Sequence, residues 1–463
     1  MIKFILNDQE IATELPPGLP LLDFIRYHQE LFGTKIGCRE GDCGACTILT
    51  GILQDDQVHY TSATSCLMPL GNAQGKHIVS IEGLNLVDLN PIQQAMSDEG
   101  ATQCGFCTPG FVVSLAGFCL SSGEPTYQHA IASIDGNICR CTGYKSIERA
   151  AAKVSDLMKE RKDEDPLSFL TRGNMLPSYF TSIKQRLIDL TNSSTKIVSS
   201  GNTLLGGGTD LYVQQHENMI NANIDFIYDR RELKYITHDN GICTMGGATT
   251  VTDILESYIF KKHFVLLPRY MKLVSSTPIR NMATIAGNFI NASPIGDMTI
   301  FFLSLDAIVQ FNDGNSTREV PLRKLYKGYK ILDKKPGEYI EKILFKVPSQ
   351  DSFFNFEKVS KRTHLDIASV NSAMHLTATD NVITSASLSA GGVGPIPMFL
   401  EKASSSLVGK EYNADILEAC INIAQSEISP ISDARGSEEY KRLLLSQLIR
   451  IHFMTIFPNE KHS

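Results

Sequence analysis

The cysteines of this 463-residue chain are unevenly distributed, and they restrict what its first third can fold into. Nine of the eleven precede residue 142, whereas Cys243 and Cys420 stand alone in the remainder. Within NICRCTGY, Cys139 and Cys141 flank Arg140 and are too close in sequence to form a comfortable disulfide with each other. The first third of the chain therefore uses its thiols for something other than local disulfides.

Four of these thiols form a first set in and after the stretch CREGDCGAC, residues 38–46. They are Cys38, Cys43 and Cys46, in a C-x4-C-x2-C spacing, and Cys66 in TSCLMPL. This spacing is typical of a plant-type ferredoxin, in which four thiolates hold one [2Fe-2S] cluster. Gly37, Gly41 and Gly44 allow a tight loop whose amide N–H groups point at the cluster sulfurs. A zinc site and reduced structural thiols are the alternatives, but zinc sites usually combine paired short spacings without the four-residue gap.

The residues around this loop predict a β-grasp fold. Residues 1–18 are expected to form a β-hairpin with Asn7 and Asp8 at its turn, and residues 20–31 a short amphipathic helix. The resulting order of strand, strand, helix and cysteine loop suits a ferredoxin of this fold.

A second set of four thiols follows the first. It consists of Cys104 and Cys107 in QCGFCTPG and of Cys139 and Cys141 in NICRCTGY. Their spacings alone fit zinc as well as iron. Each pair precedes a predicted helix, over residues 111–123 and 146–162, and a helix N-terminus favours an anionic cluster through its free N–H groups and its dipole. Cys119, inside the first of these helices, is interpreted as a buried core thiol.

The order of these motifs, first the cysteine loop, then GATQCGFCTPGF, then NICRCTGY, resembles the iron-sulfur part of the molybdenum hydroxylases, the xanthine oxidase family. The resemblance implies one [2Fe-2S] cluster on the first set, in a ferredoxin-like domain, and another on the second set, in a four-helix bundle. It also implies a molybdopterin cofactor beside the bundle cluster, with Gln103 hydrogen-bonded to the pterin. The alternative for Gln103 is an ordinary helix-cap residue, and Arg140 is interpreted as a solvated charge.

Composition excludes several classes of function. The formal net charge is −7 and the sequence pI about 5.9, which offers no basic surface for nucleic acid or anionic lipid. The longest clearly apolar run, residues 111–120, is shorter than the roughly 18 residues that a membrane span needs. Residues 1–18 lack the apolar core and cleavage site of a signal peptide, so we expect a cytoplasmic protein.

Residues 162–190 are charged and interrupted by prolines, and they are interpreted as a linker. After them, KIVSSGNTLLGGGTDLYVQ predicts a strand followed by the run Gly206–Gly208, whose backbone can approach a pyrophosphate, although a plain turn fits as well. The run does not match the G-x-G-x-x-G of a Rossmann unit. In MGGATTVTDILE, Gly246 and Gly247 lead into a predicted helix. Residues 276–298 are small, amide-rich and nearly uncharged, which predicts a loop around a large polar ligand.

Together these segments resemble the flavoprotein domain of the same family, the vanillyl-alcohol-oxidase-like FAD fold. The resemblance implies that the FAD diphosphate is contacted by Leu204, Leu205, Gly206, Gly207, Gly208, Thr209, Asp210, Leu211 and Tyr212. It further implies that a second segment contributes Thr284, Gly287, Asn288, Asn291 and Asp297. Asp297 would lie near the ribityl or adenosine part, a helix cap being its alternative role. Lys358 in FEKVSKRTHLDIASVNSAM is one more candidate contact, and Cys243 and Cys420 are interpreted as core thiols.

The chain is therefore expected to be an α+β multidomain protein. The expected parts are a β-grasp [2Fe-2S] ferredoxin-like domain (1–84), a helical-bundle [2Fe-2S] domain (85–161), the linker (162–190), an FAD-binding domain (191–350) and a small α+β flavoprotein C-terminal domain (351–460).

The resemblance spans nearly the whole chain but omits the family's part that binds molybdenum and substrate. It implies an electron-carrying small subunit without catalytic residues of its own, which passes electrons from a molybdopterin-binding large subunit through two clusters to FAD and then to NAD⁺. The expected substrate is xanthine and the expected assembly a heterotetramer of two small and two large subunits. One alternative keeps this architecture but oxidises an aldehyde or an N-heterocycle such as nicotinate. Another is a molybdenum-free ferredoxin-flavin reductase.

Overall fold

The chain folds into two compact units. The computed structural model describes residues 1–193, 203–349, 351–362 and 365–457. The first unit is Met1–Tyr228 together with Ser276–Ala283, and the second is Asp229–Ser275 together with Thr284–Ser463. The domain boundary expected at residue 191 therefore does not coincide with the division between the units. No helix within the described ranges is long and apolar enough to cross a membrane.

The N-terminal part of the first unit is a five-stranded sheet with a short helix, the ferredoxin part, which has the predicted β-grasp arrangement. Its elements are β1 (Ile2–Leu6), β2 (Gln9–Thr13), α1 (Leu21–Asp23), β3 (Thr47–Gln54), β4 (Gln57–Thr64) and β5 (His77–Val79). The strand order is β2-β1-β5-β3-β4, and β1 pairs with β5 in parallel while the other pairs are antiparallel. Asn7 (φ 54°) makes the predicted turn after β1, and α1 continues as a π-helical turn over Phe24–His28.

Four helices form the next part of the first unit, the helical part. They are α2 (Pro91–Asp98), α3 (Thr108–Leu120), α4 (Tyr127–Ser133) and α5 (Lys145–Lys159). The first of them begins at a capping box, in which Asn90 and Gln93 each accept a hydrogen bond from the other's backbone amide, at 2.9 and 3.0 Å. Phe111 of α3 and Ile147 of α5 are fully buried in the shared core, so the apolar run at 111–120 is a buried helix as predicted.

Residues 162–190, predicted as a linker, are mostly helical. They contain α6 (Pro166–Arg172), a 3₁₀ turn (Ser178–Ser182) and most of α7 (Ile183–Ser193). Phe169 and Leu170 join the core of the helical part, whereas Ile183 and Leu187 pack against β1. The segment thus ties the helical part to the ferredoxin part.

The central part of the chain contributes to both units. Its elements are β6 (Thr203–Leu205), α8 (Leu211–Gln214), α9 (His216–Ile220), β7 (Ile224–Phe226), β8 (Ile236–Asp239), β9 (Ile242–Gly246), α10 (Val251–Glu256), α11 (Tyr258–His263), α12 (Leu267–Lys272), α13 (Thr277–Met282), α14 (Ile285–Asn291), α15 (Asp297–Leu303), β10 (Ile308–Asn312), β11 (Thr317–Pro321), α16 (Leu322–Leu325), β12 (Tyr326–Gly328), β13 (Ile331–Leu332) and β14 (Tyr339–Lys346). In the second unit five of these strands form an antiparallel sheet of order β11-β10-β14-β9-β8. Residues 276–298 form α13, α14 and the start of α15, so the predicted loop was wrong.

In the first unit, β6 and β7 pair in parallel, and this region completes the hydrophobic core of the ferredoxin part. The residues that it contributes to that core are Leu205, Tyr212, Met219, Ile224 and Met282. The strand predicted at the start of KIVSSGNTLL lies mostly outside the described residues, and β6 is the strand that directly precedes the glycine run.

The C-terminal part of the second unit is a four-stranded antiparallel sheet covered by helices, which agrees with the expected small α+β domain. Its elements are β15 (Ser352–Val359), β16 (Val370–Thr379), β17 (Val382–Gly391), β18 (Met398–Phe399), α17 (Glu401–Leu407), α18 (Ala414–Glu427) and α19 (Glu438–Ile456). The strands follow chain order in the sheet. Leu445, Ile449 and Phe453 on α19 are fully buried in the core that this helix shares with the sheet.

His77 on β5 is buried, and its neighbours determine its tautomer. Its Nε2 lies 2.9 Å from the backbone carbonyl of Asn7, which can only accept, so Nε2 carries the proton. Its Nδ1 therefore accepts from the Tyr60 hydroxyl at 2.8 Å. Burial lowers the pKa of His77 to about 3, because the imidazolium would be desolvated.

We expect acidification to destabilise the first unit through His77. Below pH 6.5, the ordinary pKa of histidine, this side chain is protonated in the unfolded chain. In the folded chain it stays neutral until the pH approaches the lowered pKa of about 3. Lowering the pH from 7 to 5 should therefore remove about 2 kcal/mol from the free energy of unfolding. Urea unfolding at both pH values should show a loss about 2 kcal/mol smaller in His77→Gln than in His59→Gln, which replaces an exposed residue on β4. An equal loss in both variants would contradict the assignment.

Candidate functional site

The first set of thiols lies in the loop between α1 and β3, with Cys66 just after β4. The Cys38 amide donates to Cys43 Sγ at 3.4 Å, and the amides of Glu40 and Asp42 donate to Cys38 Sγ, each at 3.3 Å. The pKa of Cys38 is lowered to about 5, chiefly because the Cys43 thiol donates to it and further because of these amides. The loop thus stabilises a thiolate at Cys38.

Cys46 and Cys66 form the other pair of the first set, and both are buried. The hydrogen bond between their thiols lowers the pKa of Cys46 and raises that of Cys66. Ser65 holds the backbone here, since its hydroxyl donates to the Cys46 carbonyl at 2.7 Å. The fold therefore brings the four predicted thiols together as two pairs.

The second set is also arranged in pairs. The Sγ atoms of Cys104 and Cys141 are 3.5 Å apart and both residues are exposed, while Cys107 hydrogen-bonds with Cys139 through their thiols. The Thr142 hydroxyl lies 3.1 Å from Cys139 Sγ, and the Thr142 amide donates to the same sulfur at 3.4 Å. Cys107 caps α3, and Cys141 lies one turn before α5, so both pairs are at helix N-termini as predicted.

The thiols of both sets are grouped two by two, which is the arrangement that a [2Fe-2S] cluster uses. Within the part of the chain that the structure describes, no three Cys, His, Asp or Glu side chains are grouped so that they could hold a single metal ion. A structural zinc site needs four ligands around one ion. In a [2Fe-2S] cluster, in contrast, the four thiolates are shared by two irons. Both donor sets fit [2Fe-2S] clusters.

The remaining sequence predictions in the first unit concern Gln103 and Arg140. Gln103 is exposed, and because α3 begins at Thr108, it is not a helix cap. Arg140 is exposed, in agreement with a solvated charge. Gln103 therefore stays available to a ligand outside this chain.

Three cysteines lie outside the two sets, and the structure buries all of them. They are Cys119 on α3, Cys243 on β9 and Cys420 on α18. Burial raises the pKa of each thiol to about 12. They are inert core thiols, as their surroundings in the sequence predicted.

The glycine run follows β6 and packs closely against neighbouring backbone in the first unit. A Cβ on Gly207 would lie 1.9 Å from the carbonyl oxygen of Met282, and a Cβ on Gly208 (φ 90°) would lie 2.4 Å from that of Leu67. Packing thus explains both glycines without a ligand. The predicted contact of Leu204–Tyr212 with the FAD diphosphate remains a proposal.

Gly207→Ala is expected to destabilise the first unit. The added methyl group overlaps backbone that cannot move independently, and overpacking of this kind costs about 1–3 kcal/mol in free energy of unfolding. Gly123→Ala is the matched control, because its nearest neighbour, Ser121 Oγ, would be 3.4 Å from the new Cβ. Urea unfolding of both variants tests this prediction, and equal midpoints would refute it.

The second predicted flavin segment lies in the second unit, where its side chains form hydrogen bonds within the protein. The Thr284 hydroxyl caps α14 by accepting from the Gly287 amide at 3.1 Å. Asn288 Oδ1 accepts from both the amide and the hydroxyl of Thr299, each at 3.0 Å. Hydrogen bonds within the protein therefore hold the side chains of Thr284 and Asn288.

Asp297, the first residue of α15, has both carboxylate oxygens engaged. Its Oδ2 accepts from Lys358 Nζ at 2.7 Å, and its Oδ1 accepts from Asn371 Nδ2 at 2.6 Å. Asn291 Oδ1, on α14, accepts from Lys330 Nζ at 2.8 Å. The structure thus joins Asp297 and Lys358, which the sequence placed 61 residues apart.

Asn371 was not predicted as a site residue, although it lies in the stretch that contains Lys358. Asn371 is fully buried on β16, and its Oδ1 has no hydrogen-bond partner among the described residues. That oxygen faces the Cα of Gly391, where a Cβ would come within 2.2 Å of it. The sequence offered one signal for this residue, namely an asparagine among the apolar residues of a strand.

The predicted flavin residues are divided between the two units. Leu204–Tyr212 belongs to the first unit, whereas Thr284–Asp297 and Lys358 belong to the second. The Tyr212 ring is buried, and its hydroxyl donates to the Gly18 carbonyl at 2.7 Å, so it serves the core of the ferredoxin part.

Four family models match consecutive parts of the chain. They are a 2Fe-2S iron-sulfur cluster binding domain at residues 4–71, a [2Fe-2S] binding domain at 80–152, an FAD binding domain in molybdopterin dehydrogenase at 182–349 and a CO dehydrogenase flavoprotein C-terminal domain at 356–456. Together with the paired thiols, these matches define an iron-sulfur flavoprotein.

Curated relatives and solved structures agree with these models. Xanthine dehydrogenase 1 of Arabidopsis thaliana is 28% identical over 94% of this chain and 38% of its own length. Aldehyde oxidase 1 of Bos taurus is 26% identical over 96% of this chain and 38% of its own length. The structure of reconstituted CO dehydrogenase from Oligotropha carboxidovorans has a TM-score of 0.51 and is 25% identical, covering 54% of this chain and 87% of that one.

Over nearly its whole length the chain is similar to the iron-sulfur and FAD-binding parts of molybdenum hydroxylases. The predicted family and the predicted α+β multidomain fold are thereby confirmed. The chain spans little more than a third of the length of the curated relatives that it matches.

Proposed function

We propose that the chain is the small, electron-transfer subunit of a xanthine dehydrogenase, which converts xanthine, NAD⁺ and water to urate and NADH. The single observation that carries this proposal is the presence of two thiol sets, each grouped two by two, in one chain with an FAD-binding domain. The part of the xanthine dehydrogenases that this chain does not match would be a separate molybdopterin-binding large subunit. We propose a heterotetramer of two small and two large subunits in the cytoplasm.

Each cofactor has named residues in this proposal. The first set, Cys38 to Cys66, and the second set, Cys104 to Cys141, hold the clusters. The segments Leu204–Tyr212 and Thr284–Asp297, with Lys358, hold FAD. Bound flavin exchanges single electrons with clusters and a hydride with NAD⁺. No residue of this chain takes part in hydroxylation.

The exposure of the thiols supports an order for the relay. Cys104 and Cys141 are exposed beside the exposed Gln103, so the second set can face a pterin on the partner. Cys46 and Cys66 are buried. Leu67, next to Cys66, touches the glycine run proposed to hold FAD. The second set is therefore the entry point for electrons, and the first set delivers them to the flavin.

A second candidate substrate class is favoured by one comparison. The bovine aldehyde oxidase and the Arabidopsis xanthine dehydrogenase are almost equally similar to this chain, at 26% and 28% identity. Because the substrate would bind the missing subunit, an aldehyde or an N-heterocycle such as nicotinate fits the same electron-transfer chain.

The test is an anaerobic visible difference spectrum of the complex copurified with its natural partner. We expect xanthine to bleach both the flavin and the iron-sulfur bands. If xanthine leaves them unchanged while NADH bleaches them, the substrate assignment is wrong, and aldehydes and nicotinate are added in turn. If no molybdenum-containing chain copurifies and only NADH bleaches the bands, a ferredoxin-flavin reductase replaces the proposal.

A further inference from the structure

The turn at residues 142–144, which directly follows Cys141, has an unusual backbone. Gly143 (φ 65°) and Tyr144 (φ 68°) both adopt the left-handed conformation, one after the other. A glycine accommodates this conformation freely, whereas a tyrosine is strained there, and such strain persists only where the surroundings enforce it. No role was predicted for these residues, although they complete the motif NICRCTGY.

The turn brings both of its ends back onto Cys139, one of the thiols of the second set. The Tyr144 hydroxyl accepts a hydrogen bond from the Cys139 amide at 3.1 Å. At the other end of the turn, the Thr142 amide and the Thr142 hydroxyl both contact Cys139 Sγ, at 3.4 and 3.1 Å. Cys139 is only 6% exposed, so these contacts make up much of the polar surroundings of its sulfur.

The Thr142 hydroxyl is the donor in its contact with a Cys139 that binds iron. A thiolate ligand carries no proton, so its sulfur can only accept. The Thr142 oxygen in turn accepts from the Tyr144 amide at 3.3 Å. This second contact engages a lone pair of the oxygen and leaves its hydrogen for the sulfur. The turn therefore holds a hydrogen-bond donor on a cluster ligand.

Cys139 differs in this contact from the other thiols of the second set. Among the described residues, it is the only one of the four whose sulfur lies within hydrogen-bond distance of a side-chain hydroxyl. The sulfurs of Cys104, Cys107 and Cys141 contact backbone amides and thiols of their own set. One substitution at Thr142 therefore tests the whole contribution of hydroxyl groups to this set.

We propose that the Thr142 hydroxyl raises the midpoint potential of the cluster on the second set, the second cluster, through its hydrogen bond to Cys139 Sγ. Reduction adds negative charge that the thiolate sulfurs share, so a donor on one of them stabilises the reduced form more than the oxidised form. The inference rests on the proposed function, in which the second cluster is the entry point for electrons. The hydroxyl makes that entry point a better electron acceptor.

The experiment is an anaerobic redox titration of the full chain loaded with both clusters and FAD, followed by low-temperature electron paramagnetic resonance. Thr142→Val removes the hydroxyl at nearly constant side-chain shape. It should lower the equilibrium constant for reducing the second cluster by about tenfold, a fall of about 59 mV for a one-electron couple. Thr142→Ser restores the hydroxyl and should bring the potential back. Iron content, flavin content and the potential of the cluster on the first set should stay unchanged.

Thr102→Val is the matched control for proximity. Thr102 is exposed and lies two residues before Cys104, but its hydroxyl contacts the Thr108 hydroxyl, at 2.8 Å, instead of a sulfur. This variant should leave both potentials unchanged. An unchanged second potential in Thr142→Val with full iron content overturns the inference, and so does an equal fall in Thr102→Val.

A variant that fails to load still gives an answer. If Thr142→Val lacks the second cluster, Thr142→Ala tests the same contact with a smaller side chain and should show the same fall in potential. Loss of the cluster from both variants, with its retention in Thr142→Ser, would make the hydroxyl a requirement for assembly and overturn its role in setting the potential. If the wild-type chain itself shows no signal from a second cluster, the proposed function fails, and the inference fails with it.

Discussion

Replacing Cys66 with serine is expected to remove the first cluster and to halve the iron content of the chain. Cys66 is buried in a pair with Cys46, so no exposed thiol can substitute for it. A two-iron cluster needs all four thiolates of its set. Iron analysis and low-temperature electron paramagnetic resonance should show one cluster signal lost and the other retained.

Cys119→Ser provides the matched control for this experiment. Its thiol is as buried as that of Cys66, but it lies inside α3 and belongs to neither set. The variant should keep all of its iron and both signals. Equal iron losses in Cys66→Ser and Cys119→Ser would show that core disruption, rather than ligand removal, causes the effect.

Lys358→Met is expected to destabilise the second unit strongly. Lys358 Nζ is bonded to Asp297 Oδ2 and to the Leu273 carbonyl, each at 2.7 Å, and its side chain is 3% exposed. When the Lys358 ammonium group is removed, the buried Asp297 carboxylate keeps its hydrogen bond with Asn371 but has lost its positive partner. Breaking a buried pair from one side costs about 3–5 kcal/mol in free energy of unfolding. Urea unfolding with and without added FAD measures it.

Two further variants separate the causes of that loss. Arg450→Met breaks an exposed pair with Glu418 between α19 and α18 and should cost at most about 1 kcal/mol. The double variant Lys358→Met/Asp297→Asn removes both charges and should recover part of the stability. A double variant no more stable than Lys358→Met alone would mean that the unpaired carboxylate is not the source of the loss.

The chemistry of the cysteine sets was predictable because the ligands lie close together in sequence. Cys38, Cys43 and Cys46 lie in one loop. Each pair of the second set lies at the start of one helix. The prolines of residues 162–190 were harder to interpret, because they were taken as interruptions of regular secondary structure. In the structure Pro166 stands in the first turn of α6 and Pro278 in that of α13, where a missing N–H costs nothing.

The place of Ser276–Ala283 in the first unit was not predictable, for a different reason. Arg280 and Asp135 are 145 residues apart, and Asn281 and Ser62 are 219 apart, so no local pattern records their contacts. The same holds for Gly207. In the sequence its missing side chain suggested room for a phosphate, but in the structure the nearest neighbour of this position is protein backbone. A glycine run marks a close approach without identifying what approaches.

The contribution of Met282 to the core of the ferredoxin part has a consequence for the order of events on the ribosome. The ligands of the first cluster are all synthesised by residue 66, yet the core beneath them is completed only when β6, β7 and α13 have emerged. At synthesis rates of about 5–20 residues per second, the intervening stretch of roughly 200 residues takes about 10–40 s. During that time the nascent chain carries a complete set of cluster ligands above an open hydrophobic core.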